Sequence, residues 1–493
     1  MASDYREPTY GNWRKPISPG IGRLGLIGTM ILMGGLVIVT IVAMVSLLPG
    51  LIGAAGLGLI MLPLAIQDRH GRSALQAITA RVAWWSGRSQ GWHLYRSGPL
   101  GVTAFGSYRL PGLLAASRLV EARDSYGRPF ALVVVPSTGH YTAVFECNAD
   151  GAALVDQEQI DTWVAYWGHW LASLGSEPGM AAASVTIETA PDLGHRLQEE
   201  VDANIDPNAP DLARAALEEI VWSYPRGSAR VSTRIAVTYS AASRHGGKRR
   251  SQDEMAREIG TRLPGLTSGL GMTGAGAARP MTADQLARAV RTAYNPDSQS
   301  DLEATEGQET RWEDAGPVAA QEFWDHYVHD GGQSITWGMS EAPRGEVLSN
   351  VMTGMVSPHH DIARKRVTFL YRPYTPASAA HIVERDRKDT RFRLNGAATA
   401  ARDEVAVASS DQSALEEARG AGLTRFAMLV TATVRSAEEL PLAAAAVDTL
   451  APSARVQLRR MYGSQASAFA AALPLGVVLP DHLQVPAVVR EAM

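Results

Sequence analysis

The residues best suited to chemistry are the histidines and aspartates of Asp325-His326-x-x-His329-Asp330 and, 30 residues after His329, of His359-His360-Asp361. Imidazole nitrogens and carboxylate oxygens are common ligands of zinc and other first-row metals. If the first segment is helical, His326 and His329 share a face. With His360 and Asp361 they then make a candidate metal site, and the chemistry would be metal-assisted hydrolysis. The competing reading is that these are packed, partly exposed histidines, which are commoner than ligands. Pro358 directly before the second pair, and a strand soon after it, favour that reading.

Phosphate-binding motifs fare worse. A P-loop needs Gly-x4-Gly-Lys-Ser/Thr, so that backbone amides and the lysine surround the phosphates. Here Gly247-Lys248 is followed by Arg249, with Ala242 five positions before Gly247. Gly269-Leu-Gly271-Met-Thr-Gly274 matches the letters of a dinucleotide fingerprint. Pro264-Gly265 and Thr267-Ser268 stand where its strand would have to be. Arg244–Arg250 and Arg364-Lys365-Arg366 could meet phosphates, but solvated loops or salt bridges are their commoner use. No His-Glu-x-x-His occurs. Cys147 is the single cysteine, so neither an internal disulfide nor a cysteine-rich zinc site can form. The chain therefore reads as non-enzymatic, with no catalytic residue and no cofactor.

The longest-range organiser is apolar. Leu24 to Gln67 is a run of 44 positions without a charged side chain. A bilayer core takes about 20 apolar residues per helical crossing, so the run suffices for two. Leu48-Pro49-Gly50 interrupts it, and Pro49 and Gly50 are the expected membrane turn. Arg6, Arg14, Lys15 and Arg23 precede the run; Arg69, Arg72, Arg81, Arg88 and Arg96 follow it. Excess Lys and Arg stay on the cytoplasmic side. A hairpin in the bacterial inner membrane, with both flanks cytoplasmic, is the expectation. Its second arm, Leu51 to Ile66, is short for a full span, and a re-entrant dip stays open. Leu75, Ile78, Val82 and Trp85 recur on one helical face, with Arg72, Arg81, Trp84 and Arg88 around it. That mixture suits a helix in the headgroup layer; Arg23, Arg69, Arg72, Arg81, Trp84, Trp85 and Arg88 are the expected interface residues.

Beyond the membrane the pattern is α+β. Val231, Thr233, Ile235, Val237 and Tyr239 alternate with polar residues, marking a half-buried strand. Phe130–Pro136 and Tyr141–Cys147 read as a hairpin, Gln157–Leu174 as a helix, and Lys365–Tyr371 and Leu423–Val434 as strands. The expected organisation is a cytoplasmic tail (1–23), a transmembrane helical hairpin (24–67) and a basic juxtamembrane helix and linker (68–101). A first cytoplasmic α+β domain (102–245), a flexible Gly-rich and acidic connection (246–311) and a second α+β domain (312–493) follow. The net charge of −4 with pI near 6.3 argues against direct nucleic-acid binding.

Some of these stretches carry resemblances. Arg366-Val-Thr-Phe-Leu-Tyr-Arg-Pro373, the strand Phe426–Val434 and the ending Phe469-Ala-Ala-Ala-Leu-Pro-Leu-Gly476 resemble the N-terminal domain of the large traffic ATPase of type IV secretion and conjugation. In that family such an ending leads into the P-loop motor, whereas this sequence stops at Met493. The basic-flanked hairpin resembles the small two-helix inner-membrane subunit that partners, or is fused to, the same ATPase. The Ala-, Arg- and Gly-rich composition suits a high-GC actinobacterium. The resemblance implies a non-catalytic scaffold whose partners are a P-loop traffic ATPase on a separate chain and other secretion-channel subunits; homo-oligomers are compatible with it. Two alternatives stay open. The layout is also similar to the membrane-anchored E component of mycobacterial type VII secretion. The histidine groups resemble the histidine–aspartate metal phosphohydrolases, which place the His-Asp pair inside a helix.

Overall fold

Two apolar helices lead the chain, α1 (Gly25–Val45) and α2 (Leu47–Ala65), followed by α3 (Ala74–Ser89) and a short strand β1 (Leu94–Arg96). The structure is a computed structural model, and it describes residues 8–11, 13, 24–98, 101, 108–149, 151, 154–192, 195–206, 208–223, 229–242, 248–304, 308–343, 345–394 and 401–483. Arg23 and residues 244–247 of the basic loop lie outside the described residues.

The two leading helices are long and apolar enough to cross a membrane. Only 6% and 11% of their apolar windows are buried, so they are not core helices of the body. The reversal falls at Ser46, whose backbone is extended, and not at Pro49-Gly50 as expected. Pro49 sits in the first turn of α2, where its missing N–H removes no helical hydrogen bond. The second arm gains length as a result and reaches 19 residues. Gly50 has a different task, because a Cβ there would lie 2.6 Å from that of Ala43 on the facing arm.

The body repeats one order of elements. Its first pass is β2 (Arg118–Arg123), β3 (Pro129–Val135), β4 (His140–Asn148), α4 (Gln157–Leu174), β5 (Met180–Pro191), α5 (His195–Asn204), α6 (Asp211–Ser223), β6 (Ala229–Ser240), α7 (Gln252–Leu270), β7 (Ala277–Pro280) and α8 (Ala283–Tyr294). Helix α9 (Ser298–Ala304) leads to the second pass. This is β8 (Ala319–Glu322), β9 (Tyr327–His329), β10 (Gly332–Glu341), α10 (Thr353–Val356), β11 (Arg364–Pro373), α11 (Pro376–Leu394), α12 (Ala401–Ala418), β12 (Thr424–Val434), α13 (Leu440–Ser453), β13 (Gln457–Arg460) and α14 (Gln465–Ala472).

The pairing repeats as well. From β5 the sheet runs outward β6, β4, β3, β2; from β11 it runs β12, β10, β9, β8, with β1 beyond. β7 pairs with β4, and β13 with β10. β5 and β11 pair antiparallel, so among the described residues one 13-stranded sheet runs through both passes. The two hairpins close at Val135–His140 and His329–Gly332. Aligning the halves on those pairs and following the registers inward makes Thr186 and Thr368 equivalent. These two face each other across the seam, Oγ1 to Oγ1 at 3.3 Å. A pseudo-twofold axis therefore passes between them.

Within the stretch expected as a flexible connection, the described residues 248–304 include α7, β7, α8 and α9. Two of its glycines mark close approaches. A Cβ on Gly260 would meet the Arg123 carbonyl oxygen at 2.8 Å, and one on Gly274 would meet the Trp163 ring at 2.7 Å. Pro264 lies inside α7 and leaves the Gly260 carbonyl without its helical donor; the Ser125 amide donates to it instead. Capping boxes at Ser251/Glu254 and Thr282/Gln285 start α7 and α8.

One face of the sheet is covered by α4 and α7 in the first half and by α10 and α13 in the second, each half with its own apolar cluster. The opposite face carries a single cluster that draws on both halves, from Val133 and Val144 to Leu429 and Phe469. Its cover includes α8 and a strap, residues 465–483, lying across the sheet. Gln465 bonds the Thr336 backbone, Thr368 donates to the Ala472 carbonyl, Thr238 donates to the Gly476 carbonyl, and His140 faces Asp481 at 3.4 Å. Leu473 and Leu475 are wholly buried. Gly476 has φ +64°, and a Cβ there would fall 2.1 Å from Thr238 Oγ1. Gly476→Ala should therefore cost roughly 2 kcal/mol or more, from the strained backbone and the clash with a fixed strand. Denaturant unfolding of the purified chain checks this, and a variant as stable as the parent would contradict the strap.

Candidate membrane-docking site

The chain is fastened to the body on both sides of the hairpin. Ahead of it, Tyr10 forms an antiparallel bridge with Val347, its amide and carbonyl each bonding at 2.7 Å. The Tyr10 hydroxyl donates to Asp161 on α4 at 3.1 Å, and the Trp13 ring lies 6.0 Å from Phe426 on β12. Behind it, Asp68 turns the chain by accepting from the His70 and Arg72 amides, and His70 Nδ1 meets Ser340 Oγ at 3.0 Å. Ser73 and Gln76 then form a capping box that starts α3.

Helix α3 divides the expected interface residues between two surfaces. Trp84 stands edge-on to Trp324 at 5.8 Å, and the Arg81 guanidinium lies over the same ring at 5.0 Å. This side docks on the loop between β8 and β9. Leu75, Ile78, Val82 and Trp85 are exposed on the adjoining face, with Trp92 exposed just beyond the helix. Arg69 and Arg88 are exposed and Arg72 is half-buried. β1 then pairs with β8, Leu94 opposite Gln321. An amphipathic helix is thus held at the sheet edge with its apolar stripe outward, the arrangement that suits the boundary between headgroups and acyl chains.

The sequence does not announce the anchoring residues. Tyr10, Trp13 and Trp324 are ordinary aromatics in polar stretches, and their partners lie far away in the chain. The one signal is the density of aromatics around 5–13 and 312–337.

The histidines separate. The segment 319–334 is a strand hairpin and not a helix, so His326 and His329 do not share a helical face. Alternation explains it: Tyr327 and His329 point into the core, and Asp330-Gly331-Gly332 provides the turn. His329 is buried; its ring nitrogens meet the Tyr294 carbonyl at 2.6 Å and the Ser334 hydroxyl at 2.8 Å. The carbonyl can only accept, so Nδ1 carries the proton and Nε2 accepts from Ser334. Burial pushes the His329 pKa down to about 4. His326 stacks on Phe323 at 4.4 Å and bonds Asp325. The donors of His359, His360 and Asp361 lie within 4.8 Å of one another, but they sit side by side on one turn, with His360 exposed. They gather by adjacency in the chain, as three consecutive residues.

Residues 17–76 match the model of a family described as a domain of unknown function (DUF8461). No curated protein matches the chain. The matched stretch takes in α1, α2 and the start of α3, the elements that make up the hairpin and its exit.

His329 sets a pH dependence. Its unfolded pKa is near 6.5 and its folded value about 4, so between these the unfolded chain binds more protons. Stability should fall as pH drops from about 6.5 to 4, by up to about 3 kcal/mol from this group, and level off below. Thermal unfolding across that range should show the slope, and His329→Gln, which keeps a donor and an acceptor, should reduce it.

Proposed function

We propose that this chain is a membrane-anchored, non-catalytic docking subunit of a conjugative, type IV secretion-like transfer machine. It holds a separate P-loop traffic ATPase at the inner membrane. The observation that carries the anchoring is the fastening of Tyr10 and Trp13, before α1, and of His70, α3 and β1, after α2, to one body. Chain on both sides of two crossing-length helices then lies on one side of the bilayer, as basic flanks on both sides require.

The ATPase partner rests on the resemblance of Arg366–Pro373, Phe426–Val434 and Phe469–Gly476 to the ATPase N-terminal domain. In the fused family the motor continues just beyond that ending. Here Leu473 and Leu475 are buried in the strap, so a separate motor would meet its exposed exit, around Leu483. Two helical arms, α5–α6 and α11–α12, follow the central strands β5 and β11, which are antiparallel, and so leave them at opposite strand ends. Exposed Leu212, Ile220 and Trp222 on one, and Phe392, Val405 and Leu415 on the other, offer docking surface.

Topology is tested with introduced cysteines. Cys147 is buried and its thiol pushed up to about 12, so the parent chain should be silent. In intact spheroplasts a membrane-impermeant maleimide should label Ser46→Cys, and Tyr126→Cys only after lysis. Labelling at 126 before lysis would overturn the hairpin.

The partner is tested by co-purification. A tagged, detergent-solubilised full chain should bring down a P-loop ATPase from native membranes. Recovery of type VII core components would assign the chain to that machinery instead. Recovery of secretion subunits without any P-loop protein would sink the motor-anchor idea.

A further inference from the structure

Three arginines converge on one carboxylate beside the seam. Glu188 Oε1 accepts from Arg364 Nη1 at 3.1 Å and from Arg366 Nη2 at 2.9 Å, and Oε2 accepts from Arg234 Nη1 at 3.2 Å. The side chains of Glu188, Arg234, Arg364 and Arg366 are 6%, 11%, 7% and 2% exposed, which places the whole group out of water. Arg234 also reaches half-exposed Glu146 at 3.6 Å, and Arg364 Nη2 donates to Gln299 Oε1 at 2.6 Å. The Phe469 ring lies 5.4 Å from the Arg366 guanidinium. Nε of all three arginines and Nη1 of Arg366 still have no hydrogen-bond partner among the described residues.

The pseudo-twofold axis tests whether the fold needs these charges. In the register of the repeat, Glu188 corresponds to Leu370, Arg364 to Ala182, Arg366 to Ser184 and Arg234 to Leu429. The same four positions in the other half are small or apolar. The architecture therefore closes without ions here, and a buried ionic group is costlier than apolar packing of similar volume. Water could satisfy the idle N–H groups, but it cannot offset their surplus positive charge.

A cavity of about 210 Å³ opens onto Arg364, lined also by Gln299, Ser300, Ala363 and Thr433. Asp297 and Arg435 also line it and pair with each other at 3.6 Å, so they add no net charge of their own. We propose that this cavity binds a small phosphate-type oxyanion, held by the Arg364 guanidinium with the hydroxyls of Ser300 and Thr433 around it. The planar guanidinium matches phosphate oxygens in pairs. An anion would take up the one positive charge that Glu188 and Glu146 leave uncompensated. The small volume limits the ligand to a free anion or the end of a small monoester.

The test uses the full chain in detergent, with inorganic phosphate as the probe and acetate and chloride at matched ionic strength as comparisons. Phosphate should raise the unfolding temperature saturably, by roughly 2–4 °C, and bind at least about tenfold more tightly than acetate by calorimetry. Arg364→Gln should abolish the shift. Ala363→Phe leaves every charge in place, fills the exposed lining and should also abolish it, at an unchanged unliganded unfolding temperature. A phosphate effect no larger than that of chloride, or equal binding of acetate, would overturn the proposal. So would a full phosphate shift in a folded Ala363→Phe chain.

Discussion

The antiparallel pairing of β5 with β11 is the constraint on which the rest depends. Seven residue pairs, from Lys365–Thr189 to Tyr371–Ala183, join two repeats into one sheet. Without that seam each repeat would expose a central strand edge, and the cluster under the strap would be cut in two. The strap can bond Thr336, Thr368 and Thr238 in succession because strands of both halves lie side by side in register. Each polar group that crosses the seam therefore reports on the pairing. A slip of one residue would send Thr186 and Thr368 to opposite faces of the sheet.

Buried hydroxyls are the polar thread of this face. Thr142 meets Thr238 at 2.9 Å, and at the equivalent positions Ser334 meets Thr433 at 2.7 Å. Thr336 and Thr431 add a pair that has no counterpart, since Val144 and Ala236 occupy those places. β-branched hydroxyl residues suit a pleated, covered surface, and directional bonds between them hold one register more firmly than apolar contact alone. The second repeat has gone further by anchoring the strap's helix through Gln465, while the first holds the strap's bend at Gly476.

Local signals were legible where one stretch of chain carried them. The charge-free run named the hairpin, alternation named β6, and the spacing of Leu75, Ile78, Val82 and Trp85 named the exposed face of α3. The turn falls a few residues before the expected position because Pro49 and Gly50 are compatible with a helix's first turn and with a reversal alike. The repeat is not legible in the sequence because what the halves share is register and element order: Glu188 matches Leu370, and Arg364 matches Ala182. The convergence on Glu188 was invisible for a related reason, since its arginines lie 46 to 178 residues away. Residues 246–311 read as flexible because glycine signals mobility and close packing equally in a sequence, and only the neighbours of Gly260 and Gly274 decide between them.

The double fastening of the hairpin has a mechanical meaning. A globule hung from one linker swivels freely, and a pull on it straightens the linker before any load reaches the lipid. Here the chain entering α1 is held at Val347 and Asp161, and the chain leaving α2 is held at Ser340, Trp324 and β8. Two separated attachment points resist rotation about either one. A turn of the sheet is then resisted at two points of the chain, one ahead of the apolar helices and one behind them, as two pegs hold a board that would spin on one.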